Sequence, residues 1–133
     1  MRPHGDRRPA TVLIVDDDEE MRAVLRVFLE QKGYRVIEVA DAAAALTAVA
    51  AEPLDVAIVD KEMRGTSGLD LLPVLRRACP QVRVIFITAF GGPHVAEEAR
   101  RRGADCYLEK PFRVGRIVDA VETAARHRQC PAS

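Results

Sequence analysis

The chain has 133 residues, 48% hydrophobic and 30% charged, which suits one soluble globular domain with a real core and excludes a disordered chain. Lys+Arg and Asp+Glu are 20 each, so the formal net charge is zero and no general attraction to nucleic acid or to an anionic membrane is expected. The cysteines Cys79, Cys106 and Cys130 are odd in number and lack a C-x-x-C pair, so neither a disulfide framework nor a zinc site is indicated and a reducing, cytoplasmic compartment fits best.

Residues 1–9 are polar, carry three arginines and show no period, so they read as a loose N-terminal arm. The basic start resembles a signal n-region, but the apolar run that follows is short and stops at Asp16, so neither a signal peptide nor a membrane span is expected. Thr11-Val12-Leu13-Ile14-Val15 is continuously apolar, as a strand covered on both faces should be. The acidic run Asp16 to Glu20 closes it. Met21, Val24, Leu25, Phe28 and Leu29 then fall on one helix face, with Asp18 as N-cap and Gly33 as the stop. Arg35 to Val39 forms a second strand. Asp41 caps an alanine-rich helix over Ala42 to Ala51, which Pro53 ends.

Leu54 to Asp60 is the third strand, and it delivers a carboxylate into the polar, glycine-bearing loop Lys61 to Gly68. Ser67 and Asp70 resemble a capping box for the helix that follows, in which Pro73 predicts a kink or an early start. Gln81 to Thr88 is the fourth strand and ends on a hydroxyl. Gly91-Gly92-Pro93 forms a turn before the weakest helix, His94 to Arg102, whose apolar side is only Val95, Ala96 and Ala99. Cys106 to Glu109 is a short fifth strand, followed by Lys110-Pro111. The last helix carries Val114, Ile117, Val118 and Val121, and residues 128–133 read as a tail. Strand and helix alternate five times over short connections, which predicts an α/β fold: a parallel sheet, doubly wound by right-handed crossovers.

In such a sheet all C-terminal strand ends lie on one edge, where open α/β proteins bind ligands. If the first and third strands are neighbours, Asp16 and Asp17 face Asp60. Carboxylates so placed repel by roughly 4 kcal/mol per pair at 4 Å with an effective dielectric of 20. A hard cation such as Mg²⁺, or Lys110 at the end of the fifth strand, would offset that. Each residue has a bland reading taken alone: a helix-start cluster for Asp16 to Glu20, a strand-end hydroxyl for Thr88, a solvated charge for Lys110, a half-buried sheet aromatic for Tyr107. Their joint occurrence at four separate strand ends is what calls for a site.

The segments Val12 to Glu19, Val59-Asp60 with Met63 and Gly68, Phe86 to Ala89 and Gly103 to Phe112 together resemble the receiver domain of bacterial two-component response regulators. The resemblance runs over about residues 10 to 127. It implies a flavodoxin-like (βα)5 fold with strand order 2-1-3-4-5. It also implies that Asp60 accepts a phosphoryl group from a sensor histidine kinase or a histidine phosphotransfer protein. By the same resemblance Mg²⁺ would be held by Asp17 directly, by Asp16 through water, by Asp60, and by the backbone carbonyl of Glu62. Lys110 would contact a phosphoryl oxygen, Thr88 would hydrogen-bond the phosphoryl group, Tyr107 would be the switch aromatic, and the Lys110-Pro111 peptide would be cis. Glu62 and Phe90 hold positions that modulate phosphoryl loss in that family. Arg64 stands where the family usually has proline.

The expected activity is therefore stoichiometric self-phosphorylation with slow loss, not enzymic turnover. The face of the fourth helix, fifth strand and last helix, with Arg100, Arg101 and Arg102, is expected to carry output and to support a homodimer. The alternatives are a receiver cut from a transcription factor or hybrid kinase, an aspartyl phosphatase of the haloacid dehalogenase type, a flavodoxin-like flavin or nucleotide binder, and a receiver-like module that is never phosphorylated. Glu62 stands where the phosphatases place a second aspartate, Asp16 to Asp18 would repel a bound phosphate, and the set of Asp60, Thr88 and Lys110 is complete.

Overall fold

A computed structural model describes residues 9–126. The expected tail, residues 128–133, lies outside them, as does the expected arm apart from Pro9. The elements alternate as β1 (Thr11–Val15), α1 (Glu19–Gln31), β2 (Arg35–Val39), α2 (Ala42–Ala51), β3 (Val56–Asp60), α3 (Gly68–Ala78), β4 (Arg83–Thr88), α4 (Pro93–Arg101), β5 (Cys106–Glu109) and α5 (Val114–Arg126). The strands form one parallel sheet in the order β2-β1-β3-β4-β5. β3 and β4 each begin two residues later than the apolar runs suggest. Leu54 and Val82 are buried all the same, but they precede the paired ladder. No helix among the described residues is long and apolar enough to cross a membrane.

The side-chain period of two divides the core between the two faces of the sheet. Val12, Ile14, Val56, Ile58, Ile85 and Ile87 pack with α1 and α5, through Leu25, Leu29, Ile117 and Val121. Leu13, Val15, Ala57, Val59, Val84 and Phe86 pack on the other face with α2, α3 and α4, mainly through Leu71, Leu72 and Leu75. Each of those leucines contributes about 1.5–3 kcal/mol by leaving water. α4 buries only Ala99 and α2 only Ala45, so these two are the least anchored helices.

Asp18 caps α1 by accepting from the Glu20 and Met21 N–H groups, and Asp41 caps α2 by accepting from Ala44 N–H. α1 ends with Gly33 N–H on the Glu30 carbonyl (3.0 Å) and Tyr34 N–H on that of Leu29 (3.2 Å), a Schellman pair. Only half of the expected capping box at α3 forms. Ser67 Oγ accepts from Leu69 N–H at 3.1 Å, but Asp70 turns outward to the guanidinium of Arg102 at 3.0 Å.

Pro73 does not break α3, which runs through it without interruption. Proline has no N–H to give the carbonyl four residues back, which here is Leu69. That carbonyl accepts instead from Arg102 Nη1 at 3.1 Å, and Arg102 also pairs with Asp70 and Glu98. Arg102 is therefore a strut between α4 and α3 rather than a free member of an output patch, and Arg101 pairs with Glu98. Removing Arg102 should lower Tm more in the natural background than in a Pro73→Ala background, where the restored N–H satisfies Leu69. A thermal double-mutant cycle reads this coupling, and strict additivity would refute the strut.

Candidate functional site

Three strand ends converge at the carboxyl edge of the sheet. The parallel register sets Val15 beside Val59 and Asp60 beside Ile87, so Asp16 leaves β1 next to Asp60, with Thr88 closing β4 on the other side. Asp16 and Thr88 have no solvent exposure, and Asp60 has only 2%. Burial of such polar groups requires partners.

Asp60 has two. Its Oδ2 accepts from Lys110 Nζ at 2.9 Å and its Oδ1 from Glu62 N–H at 3.0 Å. Lys110 reaches it from beyond β5, where the Lys110-Pro111 peptide is cis. Burial works against the Lys110 charge, but the hydrogen bond and charge of Asp60, together with Asp16, hold its pKa above the ordinary lysine value. Gly68 makes the Asp60 turn possible. A Cβ there would come 2.2 Å from the Asp60 carbonyl oxygen, and Gly68 N–H donates to the Lys61 carbonyl at 2.8 Å.

Asp16 is less well satisfied. Its Oδ1 accepts from Asp18 N–H at 2.9 Å, while Oδ2 is buried with no hydrogen-bond partner. Burial first, and then the charge of Asp60, push its pKa up to about 7, against the opposing pull of the Asp18 N–H and of Lys110. An orphaned, buried carboxylate oxygen beside a second carboxylate is a place for a hard cation, so these residues fit Mg²⁺ with retained waters. The cage is not gathered, however. Among the described residues no three Asp, Glu, His or Cys side chains are grouped as a metal cluster. Asp17 is drawn toward the β3–α3 loop instead: its Oδ2 accepts from Arg64 N–H at 3.0 Å, with Arg64 Nε at 3.8 Å.

A proline at position 64 could not make that N–H bond. Arg64→Pro should therefore free Asp17 and tighten Mg²⁺ binding by up to about tenfold, the worth of one hydrogen bond to a charged group. Arg64→Ala, which keeps the N–H, should change it much less. Calorimetric titration of Mg²⁺ distinguishes the two, and equal affinities would show that the Arg64 N–H is not what restrains Asp17.

Thr88 Oγ1 donates to Glu62 Oε2 at 2.5 Å and accepts from Phe90 N–H at 3.0 Å. Glu62 Oε1 accepts from Ala89 N–H at 2.9 Å. Burial would raise the Glu62 pKa, but these two donors and Lys61 together hold it below the ordinary value. The ring of Phe90 is 73% exposed and does not cover the site. Tyr107 stacks on Phe86 (centroids 6.4 Å apart) and sends its hydroxyl outward, accepting from Gly92 N–H at 3.2 Å and donating to Glu109 at 2.9 Å. Gly91, read from the sequence as a turn residue, lies under that hydroxyl, and a Cβ there would come 1.9 Å from it.

The structure thus brings together Asp60, Lys110, Asp16, Glu62 and Thr88, leaves Asp17 engaged by Arg64, and turns the Tyr107 hydroxyl to Gly92 and Glu109. Residue types alone do not reveal the Arg64 and Ala89 N–H groups or the reach of the Glu62 carboxylate, because backbone donors carry no side-chain signature.

The sequence and fold are similar to those of known proteins. The family model for the response regulator receiver domain matches residues 12–122. The response regulator protein FleR of Pseudomonas aeruginosa is 39% identical over 93% of this chain, which spans 26% of that relative's length. The sporulation initiation phosphotransferase F of Bacillus subtilis is 32% identical over 84% of this chain and 90% of its own. A response regulator of Burkholderia pseudomallei, solved with a phosphorylated aspartic acid, a calcium ion and citrate, superposes with a TM-score of 0.81. It is 32% identical over 90% of this chain and 71% of its own.

Proposed function

Because this chain belongs to the response regulator receiver domain family, we propose that Asp60 is its phosphoacceptor and that the phosphoryl group comes from a phosphohistidine on a sensor kinase or a phosphotransfer protein. The observation that carries this reading is the Asp60–Lys110 contact of 2.9 Å at a buried strand end, beside the unpartnered oxygen of Asp16. The phosphorylated aspartic acid and calcium ion of the Burkholderia relative support a divalent cation here, and Mg²⁺ is the ion we propose.

The chemistry follows from charge and position. A carboxylate oxygen of Asp60 forms a bond to phosphorus as the donor's P–N bond breaks, and the electron pair leaves with the imidazole nitrogen, which ends protonated. Lys110 neutralises charge on the transferring phosphoryl oxygens. Asp16, Asp17, Asp60 and the carbonyl of Glu62 would hold Mg²⁺, which supplies further positive charge to the same oxygens. Thr88 then turns its hydroxyl to the phosphoryl group, and Tyr107 moves into the space vacated. The α4–β5–α5 face carries the signal onward, by self-association or by contact with an effector, and does so in the cytoplasm without touching nucleic acid or membrane itself.

The reaction is stoichiometric rather than catalytic. Incubation with Mg²⁺ and excess phosphoramidate, read by intact mass, should show one added phosphoryl group per chain, with free phosphate appearing no faster than the adduct decays. Rapid multiple turnover would favour a hydrolase instead, and absence of any adduct would refute the proposal. A sizing column run on the same samples tests the self-association.

A further inference from the structure

We propose that the Glu62 carboxylate is an internal competitor for the phosphoryl group: in the unmodified protein it occupies two donors at the end of β4, the strand beside the phosphoacceptor's, Thr88 O–H and Ala89 N–H. The inference rests on Asp60 being the phosphoacceptor. It goes further by assigning the Glu62 side chain a role in how readily the group is accepted and how far the switch is thrown.

The geometry is that of a bidentate anion. One oxygen of Glu62 takes the Thr88 hydroxyl at 2.5 Å and the other takes Ala89 N–H at 2.9 Å. A phosphoryl group also presents adjacent anionic oxygens, so the same donors suit either ligand. The Thr88 hydroxyl has no access to water and therefore needs an acceptor, and Glu62 is the acceptor it has. Glu62 comes from the β3–α3 loop, 26 residues away in sequence, and thus ties that loop to the end of β4. Lys61 Nζ, 3.5 Å from Glu62 Oε2, flanks the pair. A phosphoryl group arriving on Asp60 must displace this carboxylate before Thr88 can turn, and until it does the two anions repel. The Glu62 carboxylate is accordingly a positioning group: unlike the Glu62 N–H, which bonds Asp60, it acts by holding Thr88 away from where it is needed.

Removing the competitor should help the phosphoryl group. Glu62→Ala should bind beryllofluoride with Mg²⁺ about tenfold more tightly than the natural protein, the scale of one charge-assisted hydrogen bond, and should be phosphorylated faster by phosphoramidate. In the metal-free variant the Ala89 amide proton should move upfield in the ¹H–¹⁵N spectrum, since it loses an anionic acceptor. Glu62→Asp separates reach from charge, because it keeps the carboxylate but is one methylene too short to span both donors. It should behave like Glu62→Ala. If Glu62→Asp instead matches the natural protein, bulk charge and not donor occupancy is at work, and the proposal is overturned. An unmoved Ala89 amide together with unchanged beryllofluoride affinity in Glu62→Ala overturns it as well, while leaving Asp60 as phosphoacceptor intact. If the natural protein itself takes neither beryllofluoride nor a phosphoryl group, the phosphoacceptor reading fails, and this inference falls with it.

Discussion

Asp60→Asn is expected to fold normally and to take up no phosphoryl group, a loss on the order of 10³-fold or more in labelling rate, the scale seen when a covalent nucleophile is removed. Asparagine matches aspartate in shape, so the Gly68 approach to the Asp60 backbone and the hydrogen bond from Glu62 N–H to the side-chain oxygen can persist. What disappears is the anionic lone pair that attacks phosphorus. The other acids do not replace it. The Lys110 hydrogen bond goes to Asp60 rather than Asp16, whose free oxygen is fully buried and whose raised pKa leaves much of it protonated near neutrality. Asp17 is engaged by Arg64. Intact mass after incubation with Mg²⁺ and phosphoramidate should therefore show only unmodified Asp60→Asn, while circular dichroism shows an unchanged helix content. Labelling of the variant at Asp16 or Asp17 would mean that the edge of the sheet offers a diffuse acidic site rather than one nucleophile, and the proposed mechanism would fail.

Much of this fold is legible in the sequence because its elements are set by local rules. β1 is a threonine and four apolar residues closed by acids, and a strand buried on both faces can be little else. Asp18 and Asp41 sit one residue before their helices, where a side-chain oxygen satisfies free N–H groups, and the structure uses both. The convergence of Asp16, Asp60, Thr88 and Lys110 is legible too, since a parallel sheet sends all its C-terminal ends to one edge. The rest depends on contacts between distant segments. Pro73 predicts a kink when its helix is read alone, and only Arg102, arriving from the end of α4, supplies the donor that makes it tolerable. Asp17 has the letter of a metal ligand, but its partner is a backbone N–H that appears because residue 64 is not proline. Glu62 reads as a loop acid near the site, and its length and direction are what place it on Thr88 and Ala89. Residue type announces which groups are available, whereas competition among partners decides how they are paired.

That competition has a thermodynamic consequence at Asp16. The folded protein holds this carboxyl's proton up to about pH 7, whereas the ordinary value is 3.8. Between those values the folded state binds the proton and the unfolded state does not, so stability falls as pH rises through the window. The loss expected for the metal-free protein between about pH 4 and pH 7 is a few kcal/mol, at most about 4. Glu62 acts in the opposite sense, since its pKa is held below the ordinary 4.5, and its stabilising contribution is lost only as pH falls below that value. Lys110 is raised above 10.5 and is silent across the window. Urea unfolding in EDTA at stepped pH should therefore show stability declining from about pH 5 to pH 7 and levelling above it. Asp16→Asn cannot ionise, so it should flatten this slope and be more stable than the natural protein at pH 8. Mg²⁺ at saturating concentration should restore the natural protein at pH 8, because a ligand that binds only the folded state stabilises it by mass action, and should do much less for Asp16→Asn. A natural protein whose metal-free stability is level or rises over this window, or an Asp16→Asn variant with the same slope, would mean that Asp16 ionises at no cost. The unpartnered oxygen would then have lost its claim to a cation, since a carboxylate already content in the folded protein has no charge left for Mg²⁺ to relieve.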